Sequence, residues 1–176
     1  MPPLPLVVLI CFVEVLTMVG TFTFPALLPT FIREWHLNNT EAGWISGIML
    51  AGYAVSVPAL VSLTDRYDAK RVHMAGATMA AISLLAFTFL AEGFWSAMVL
   101  RTLSGVALAA TYMPGLRMLV DRLDAKKPTR GVAIYTASFS LGTAFSFYIS
   151  GEVGDLIFAC VNVARHLGVD AEVTLR

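Results

Sequence analysis

The sequence predicts an all-α integral membrane protein with five membrane-spanning helices, and three observations predict it. Apolar runs of about 20 residues recur along the chain, and at ~1.5 Å per residue each crosses the ~30 Å hydrocarbon layer of a bilayer. Hydrophobic residues make up 57% of the chain and charged residues only 14%, with a mean hydropathy of +0.75. A soluble domain carries about 25% charged residues, so this chain lacks the polar surface to face water. The charges that do occur gather between the runs. The main knot is Thr64-Asp65-Arg66-Tyr67-Asp68-Ala69-Lys70-Arg71, set between apolar stretches 43–63 and 72–91. A surface loop of a soluble bundle would explain one such knot, but the alternation of apolar run and short polar loop repeats down the chain.

Residues 1–5 hold no Lys or Arg, and no small-residue cleavage site follows the first apolar run, so a cleaved signal peptide is not expected. The first span, 6–28, contains Glu14, and Pro25 and Pro29 are expected to kink or end it. Arg33, Glu34, His36, Asn38, Asn39 and Glu41 form a polar connection to the second span, 43–63. That span carries Gly47, Gly52 and Pro58. The charged knot reads as a hairpin loop to the third span, 72–91, and Glu92-Gly93 is a minimal turn into the fourth, 95–120, with Arg101, Gly105, Pro114 and Arg117. The loop 121–130 echoes the knot: Asp-Arg-x-Asp-Ala-Lys followed by a base occurs at both sites. The fifth span, 131–150, sets Ser138, Gly142 and Ser146 four residues apart. Helices associate in lipid through close packing, so Gly52, Gly105 and Gly142 are expected at helix contacts. Beyond it, the apolar stretch 156–163 is too short to span, and Arg165, His166, Asp170, Glu172 and Arg176 are polar. Residues 1–152 are therefore expected to form the membrane region and 153–176 a non-spanning tail.

The bases set the orientation. Arg66, Lys70 and Arg71 lie between spans two and three, and Arg122, Lys126, Lys127 and Arg130 between spans four and five. The other two connections hold Arg33 alone and no base at all. The positive-inside rule puts the two rich loops and the N-terminus in the cytoplasm and the tail outside, in the cell (inner) membrane.

Several classes of function are excluded. The 12 basic and 12 acidic residues cancel, so no nucleic-acid partner is suggested. Cys11 and Cys160 lie far apart and imply neither a disulfide framework nor a metal site. His36, His73 and His166 fall near predicted ends or in the tail and are expected to be solvated. No nucleophile–base pattern, Gly-rich phosphate loop or paired catalytic carboxylates can be placed, so neither an enzyme nor a cofactor is expected.

Two motifs resemble the major facilitator superfamily of secondary transporters. Its loop between helices two and three runs Gly-x-Leu-Ala-Asp-Arg-x-Gly-Arg-Lys. Residues 61–70 keep Leu63, Asp65, Arg66 and Lys70, with Val61 and Asp68 for the glycines and Ala69 for the first base. Its fourth helix carries Arg, two residues, often Gln, then Gly; Arg101-Thr102-Leu103-Ser104-Gly105 fits with Ser104 for Gln. The superfamily usually has twelve spans in two six-helix halves, each half built of inverted three-helix repeats. The resemblance covers residues 1 to 152 and five of the first six helices, which implies an incomplete N-terminal bundle. The Gly-Pro pair of drug–proton antiporters is absent from the fifth span, and the second-helix Arg of nitrate porters is absent from the second. The resemblance also implies a cytoplasmic charge network that braces the conformation open to the outside. Asp121 takes the fourth-helix position, Asp65 and Arg66 keep the family's types, and with Ala69 in place of the base that role passes to Lys70 or Arg71.

An ionisable group inside the membrane is costly, roughly 2.5–3.5 kcal/mol on insertion scales, and such groups usually face a cavity or a partner. Glu14 lies roughly 12 Å deep from the inner side and Arg101 roughly 9 Å deep from the outer side, which separates them along the membrane normal. Both are candidates for a substrate or proton cavity. A structural Glu held by neighbouring helices and an Arg reaching outward to water are the competing explanations. Arg117, nearer the inner end, is explained by a side chain reaching the membrane surface. The expected function is secondary active transport of a small solute by symport or antiport, from a truncated carrier. The alternative is a non-transporting fragment or helix-packing scaffold. The implied partners are the lipid bilayer, a small solute, protons and a separate C-terminal half.

Overall fold

The computed structural model describes residues 4–121 and 128–166, with side chains described for 7–121 and 131–153. Seven helices and no strand occur among the described residues: α1 (Leu4–Met18), α2 (Thr23–Ala26), α3 (Leu28–Glu34), α4 (Asn39–Arg66), α5 (Ala69–Leu90), α6 (Phe94–Val120) and α7 (Pro128–His166). Four of them have segments long and apolar enough to cross a membrane: Asn39–Arg66, Ala69–Leu90, Phe94–Val120 and Gly131–Val153; Val7–Met18 is a shorter apolar helix. An all-helical membrane bundle is therefore the fold. Arg122, Lys126 and Lys127 of the echoing loop, and Asp170, Glu172 and Arg176, lie outside the described residues. Arg130, Cys160, Arg165 and His166 lie where no side chain is described.

Helix α6 is the axis of the bundle. α4 and α5 pack along it, α1 packs on α7, and both of those also touch α6. Half of the α6 span is buried inside the protein, against 11–22% for the other three long spans. Small residues make this approach possible. A Cβ on Gly105 would overlap the Met49 carbonyl oxygen, and one on Gly52 would lie 2.8 Å from the Thr102 oxygen, so both sit where the α4 and α6 backbones touch. A Cβ on Gly142 would lie 2.7 Å from Met18 Cβ, at the α1–α7 contact.

The first span departs from expectation. It is not one helix over 6–28 but breaks after Met18, and neither proline breaks it. Gly20 adopts φ +89, in the left-handed region that suits a residue without Cβ. The chain then turns through short bonds, Val19 N to Leu16 O at 3.3 Å and Thr21 N to Met18 O at 3.0 Å. Pro25 lies within α2 and Pro29 in the first turn of α3. A first-turn proline has no helical acceptor to lose, so Pro29 helps to start a helix rather than stop one.

The charged knot is also more ordered than a loop. α4 runs on through Asp65 and Arg66. Tyr67 and Asp68 alone separate it from α5, and the Asp68 carboxylate caps α5 by accepting from Lys70 N at 2.9 Å. At its other end α4 begins with a reciprocal cap, Glu41 N to Asn38 Oδ1 at 2.8 Å and Asn38 N to Glu41 Oε2 at 2.9 Å. α7 continues to His166, past the expected end of the fifth span, since it contains no proline after Pro128 to stop it.

Candidate functional site

The break in the first span opens backbone groups at membrane depth, where unpaired N–H and C=O groups are costly unless protein or a cavity receives them. Two distant side chains do so here. Phe22 N donates to Ser146 Oγ of α7 at 3.0 Å, and the Thr21 carbonyl accepts from Arg101 Nη1 of α6 at 2.7 Å. Thr23 and Ser150 hydroxyls pair at 3.0 Å one turn further on. The small-residue row of α7 thus faces the broken segment: Ser138 and Ser146 are buried, and Gly142 meets α1 between them.

Arg101 is 3% exposed, yet its Nε and Nη2 find no hydrogen-bond partner among the described residues. Its guanidinium lies 5.7 Å from the centre of the Phe24 ring, within cation–π range. It borders a cavity of about 550 Å³ between α1, α2, α3, α5 and α6. One wall is aromatic, formed by Phe24 stacked with Phe31 and Trp35, and by Phe87 edge-to-face with Phe24 and Phe31. The other carries hydroxyls, among them Thr21, Thr111 and the hydrogen-bonded pair Ser83–Ser104. Such a site offers free N–H donors beside an apolar wall, which suits a ligand with an acceptor-rich group and an apolar body.

Glu14 does not line this cavity. It is fully buried, with Oε2 accepting from the Tyr135 hydroxyl at 3.0 Å and Oε1 without a partner among the described residues. The same hydroxyl lies 3.1 Å from the Tyr112 carbonyl oxygen. No ion pair joins Glu14 to Arg101 among the described residues.

A third cluster lies at the end of the bundle that holds the α4–α5 hairpin. Arg117 Nη1 contacts Asp65 Oδ1 at 2.5 Å and Thr64 Oγ1 at 2.9 Å, and its Nε lies 3.9 Å from Asp121 Oδ2. The base joining the two acids is thus Arg117 rather than Lys70 or Arg71, which make no ion pair with Asp121 among the described residues. Arg66, Lys70 and Arg71 are exposed. Arg117 does more than reach for the membrane surface: α6 crosses α4 where its side chain meets the last turn of that helix. His73 is likewise not solvated. It is buried on α5 and donates from Nδ1 to the Thr111 carbonyl at 2.9 Å.

Tyr135 and the Gly20 break were the residues that sequence reasoning passed over. A signal existed for the break in the cluster Thr17, Gly20, Thr21 and Thr23 inside an apolar run. For Tyr135 the signal was weaker: it lies in the first half of its span, as Glu14 does in its own.

Four long apolar helices and a broken shorter one, with a cavity that α5, α6 and the broken span line, define a multi-pass membrane protein of the helical-bundle class. The chain belongs to the Major Facilitator Superfamily, whose profile matches residues 10–158. It is 23% identical over 152 residues to "Protein spinster homolog 1" of Homo sapiens, which covers 86% of this chain and 29% of the relative. The Bos taurus protein of the same name is 24% identical over 174 residues, 97% of this chain and 33% of the relative. The "Uncharacterized MFS-type transporter YybF" of Bacillus subtilis (strain 168) is 25% identical over 131 residues, 74% and 32%. The chain spans about a third of the length of these relatives. No solved structure matches it.

Proposed function

We propose that these residues form the N-terminal helices of a secondary active carrier that moves a small solute by alternating access, with a proton gradient as the driving force. In this reading the second bundle, on the same polypeptide or a separate one, faces the cavity and rocks against this one around a midplane site. The observation that carries the reading is Arg101: a buried cation with two nitrogens that have no partner among the described residues, beside a broken helix, on a cavity large enough for a small molecule. Broken helices at membrane depth line ligand and ion sites in transporters. The solute then bears an anionic or acceptor-rich group for Arg101 and an apolar body for the aromatic wall. Glu14 is the proton site. Arg117 with Asp65 and Asp121 braces the cytoplasmic end, and the N-terminus is cytoplasmic in the cell membrane.

Trp35 lines the cavity and reports on it. In a Trp44→Phe, Trp95→Phe background, octanoate should quench Trp35 fluorescence saturably, octanamide should do so at least tenfold more weakly, and Arg101→Ala should abolish the difference. Equal quenching by acid and amide in the presence of Arg101 would remove the anion-binding reading.

A further inference from the structure

The Tyr135 hydroxyl has one proton and two acceptors within reach, Glu14 Oε2 of α1 at 3.0 Å and the Tyr112 carbonyl of α6 at 3.1 Å. It can donate to one of them at a time. A charged carboxylate is the stronger acceptor, because hydrogen bonds to ionised groups are roughly twice as strong as neutral ones. A protonated carboxyl reverses the roles, since it becomes a donor itself. We propose that Tyr135 is a positioning residue whose hydrogen bond moves from Glu14 to the Tyr112 carbonyl when Glu14 takes a proton. The proton comes from hydronium in bulk water, which leaves as a water molecule, and it stays on the Glu14 carboxyl, whose O–H then donates to the Tyr135 oxygen. The Tyr135 O–H turns to Tyr112, and apart from the hydronium O–H that breaks and the carboxyl O–H that forms no covalent bond changes. This inference rests on the reading of Glu14 as the proton site and extends it to α6.

The place of the second acceptor gives the switch a consequence. Pro114 lies inside α6 and has no N–H, so the Ala110 carbonyl lacks its helical donor. That turn is the one where α6 bends most readily. Its next two carbonyls are reached by side chains of two other helices, Thr111 by His73 of α5 and Tyr112 by Tyr135 of α7. Gly115 leaves the room: a Cβ there would collide with the Tyr135 hydroxyl and lie 3.5 Å from His73 Nδ1. Protonation of Glu14 therefore reverses the hydrogen bond that ties Tyr135 to α1 and adds one to the proline turn of the helix that carries Arg101. The other groups facing this pair are Tyr53 of α4 and Cys11 of α1, and among the described residues no ion pair reaches Glu14.

Isotope-edited infrared spectroscopy of the chain in lipid nanodiscs tests this. The protein carries 13C at tyrosine carbonyls, and the Tyr112 band is assigned by difference against Tyr112→Phe. On acidification a protonated carboxyl band should appear that Glu14→Gln lacks, and the Tyr112 carbonyl band should shift to lower wavenumber. The Tyr112 shift should be lost in Tyr135→Phe, which keeps the ring stacked on Tyr112 at 5.2 Å between centroids. In Glu14→Gln, with Tyr135 intact, the band should not respond to pH. A shift driven by His73, which donates to the adjacent carbonyl, would survive in Glu14→Gln and overturn the proposal. A Glu14 band without any Tyr112 shift, or with a shift that persists in Tyr135→Phe, would overturn the tie and leave the proton site standing. No Glu14 band between pH 3 and 9, a window that runs from below the ordinary Glu value of about 4.3 up to the roughly 8–9 known for buried carboxyls, would overturn both.

Discussion

Gly105→Ala should split the bundle along its main seam. A Cβ at this position overlaps the Met49 carbonyl oxygen and stands 2.9 Å from both the Met49 carbonyl carbon and the Tyr53 nitrogen. Carbon atoms in favourable contact lie about 3.5–4.0 Å apart. Every atom it meets is backbone of α4, so no side chain can rotate away. The helices must separate by roughly half an ångström or more, and a gap of that size forfeits about a quarter to a half of the dispersion energy of the atoms it parts. Overpacking of this kind typically costs ~1–3 kcal/mol, or about 5- to 150-fold in the folding equilibrium. Gly47→Ala is the control, on the facing helix α4 with nothing within 4 Å of its Cβ, and should leave stability unchanged or raise it by up to ~1 kcal/mol. Unfolding in mixed micelles with increasing SDS, followed by far-ultraviolet circular dichroism, measures both. Equal midpoints for the two variants would refute the close contact of α4 and α6.

Two further outcomes are expected. Arg117 and Asp65 side chains are 38% and 64% exposed, so a double-mutant cycle between them, read by proteolysis of the α4–α5 hairpin, should give a coupling of ~0.2–1 kcal/mol. The same cycle on Lys70 and Asp121 should be additive. A single cysteine at Lys70, which is exposed where neighbouring Ala69 is buried, should react with impermeant thiol reagents only from the cytoplasmic side. Labelling from outside intact cells would reverse the proposed orientation.

The apolar runs and the spacing of charges were enough to read a helical membrane bundle, because spanning a bilayer forces every backbone group into a local helical bond and leaves a length and a composition in the sequence. The two motifs carried the family, since Asp65, Arg66, Arg101 and Gly105 keep their types and their spacing. The contents of the candidate site were less legible. Lys70 and Arg71 looked like the partners of Asp121 because they are near the motif in sequence, but partnership across helices depends on rotation and crossing, and those put Arg117 between the acids. His73 looked exposed because it lies near a helix end, and the approach of α5 to α6 buried it.

By itself, the sequence determined that the chain is helical, where most of its long helices run, and that it carries a few costly ionisable groups inside them. Those properties follow from local composition and from the dielectric of the bilayer. Tertiary structure alone decided that Gly20 rather than a proline breaks the first span, that Arg101 answers the carbonyl this break exposes, and that Tyr135 stands between Glu14 and α6. Each of these is a contact between residues far apart in the chain, with Thr21 and Arg101 80 positions apart and Glu14 and Tyr135 121 apart. The choice among such contacts is made by how helices pack, and no single run of residues encodes it.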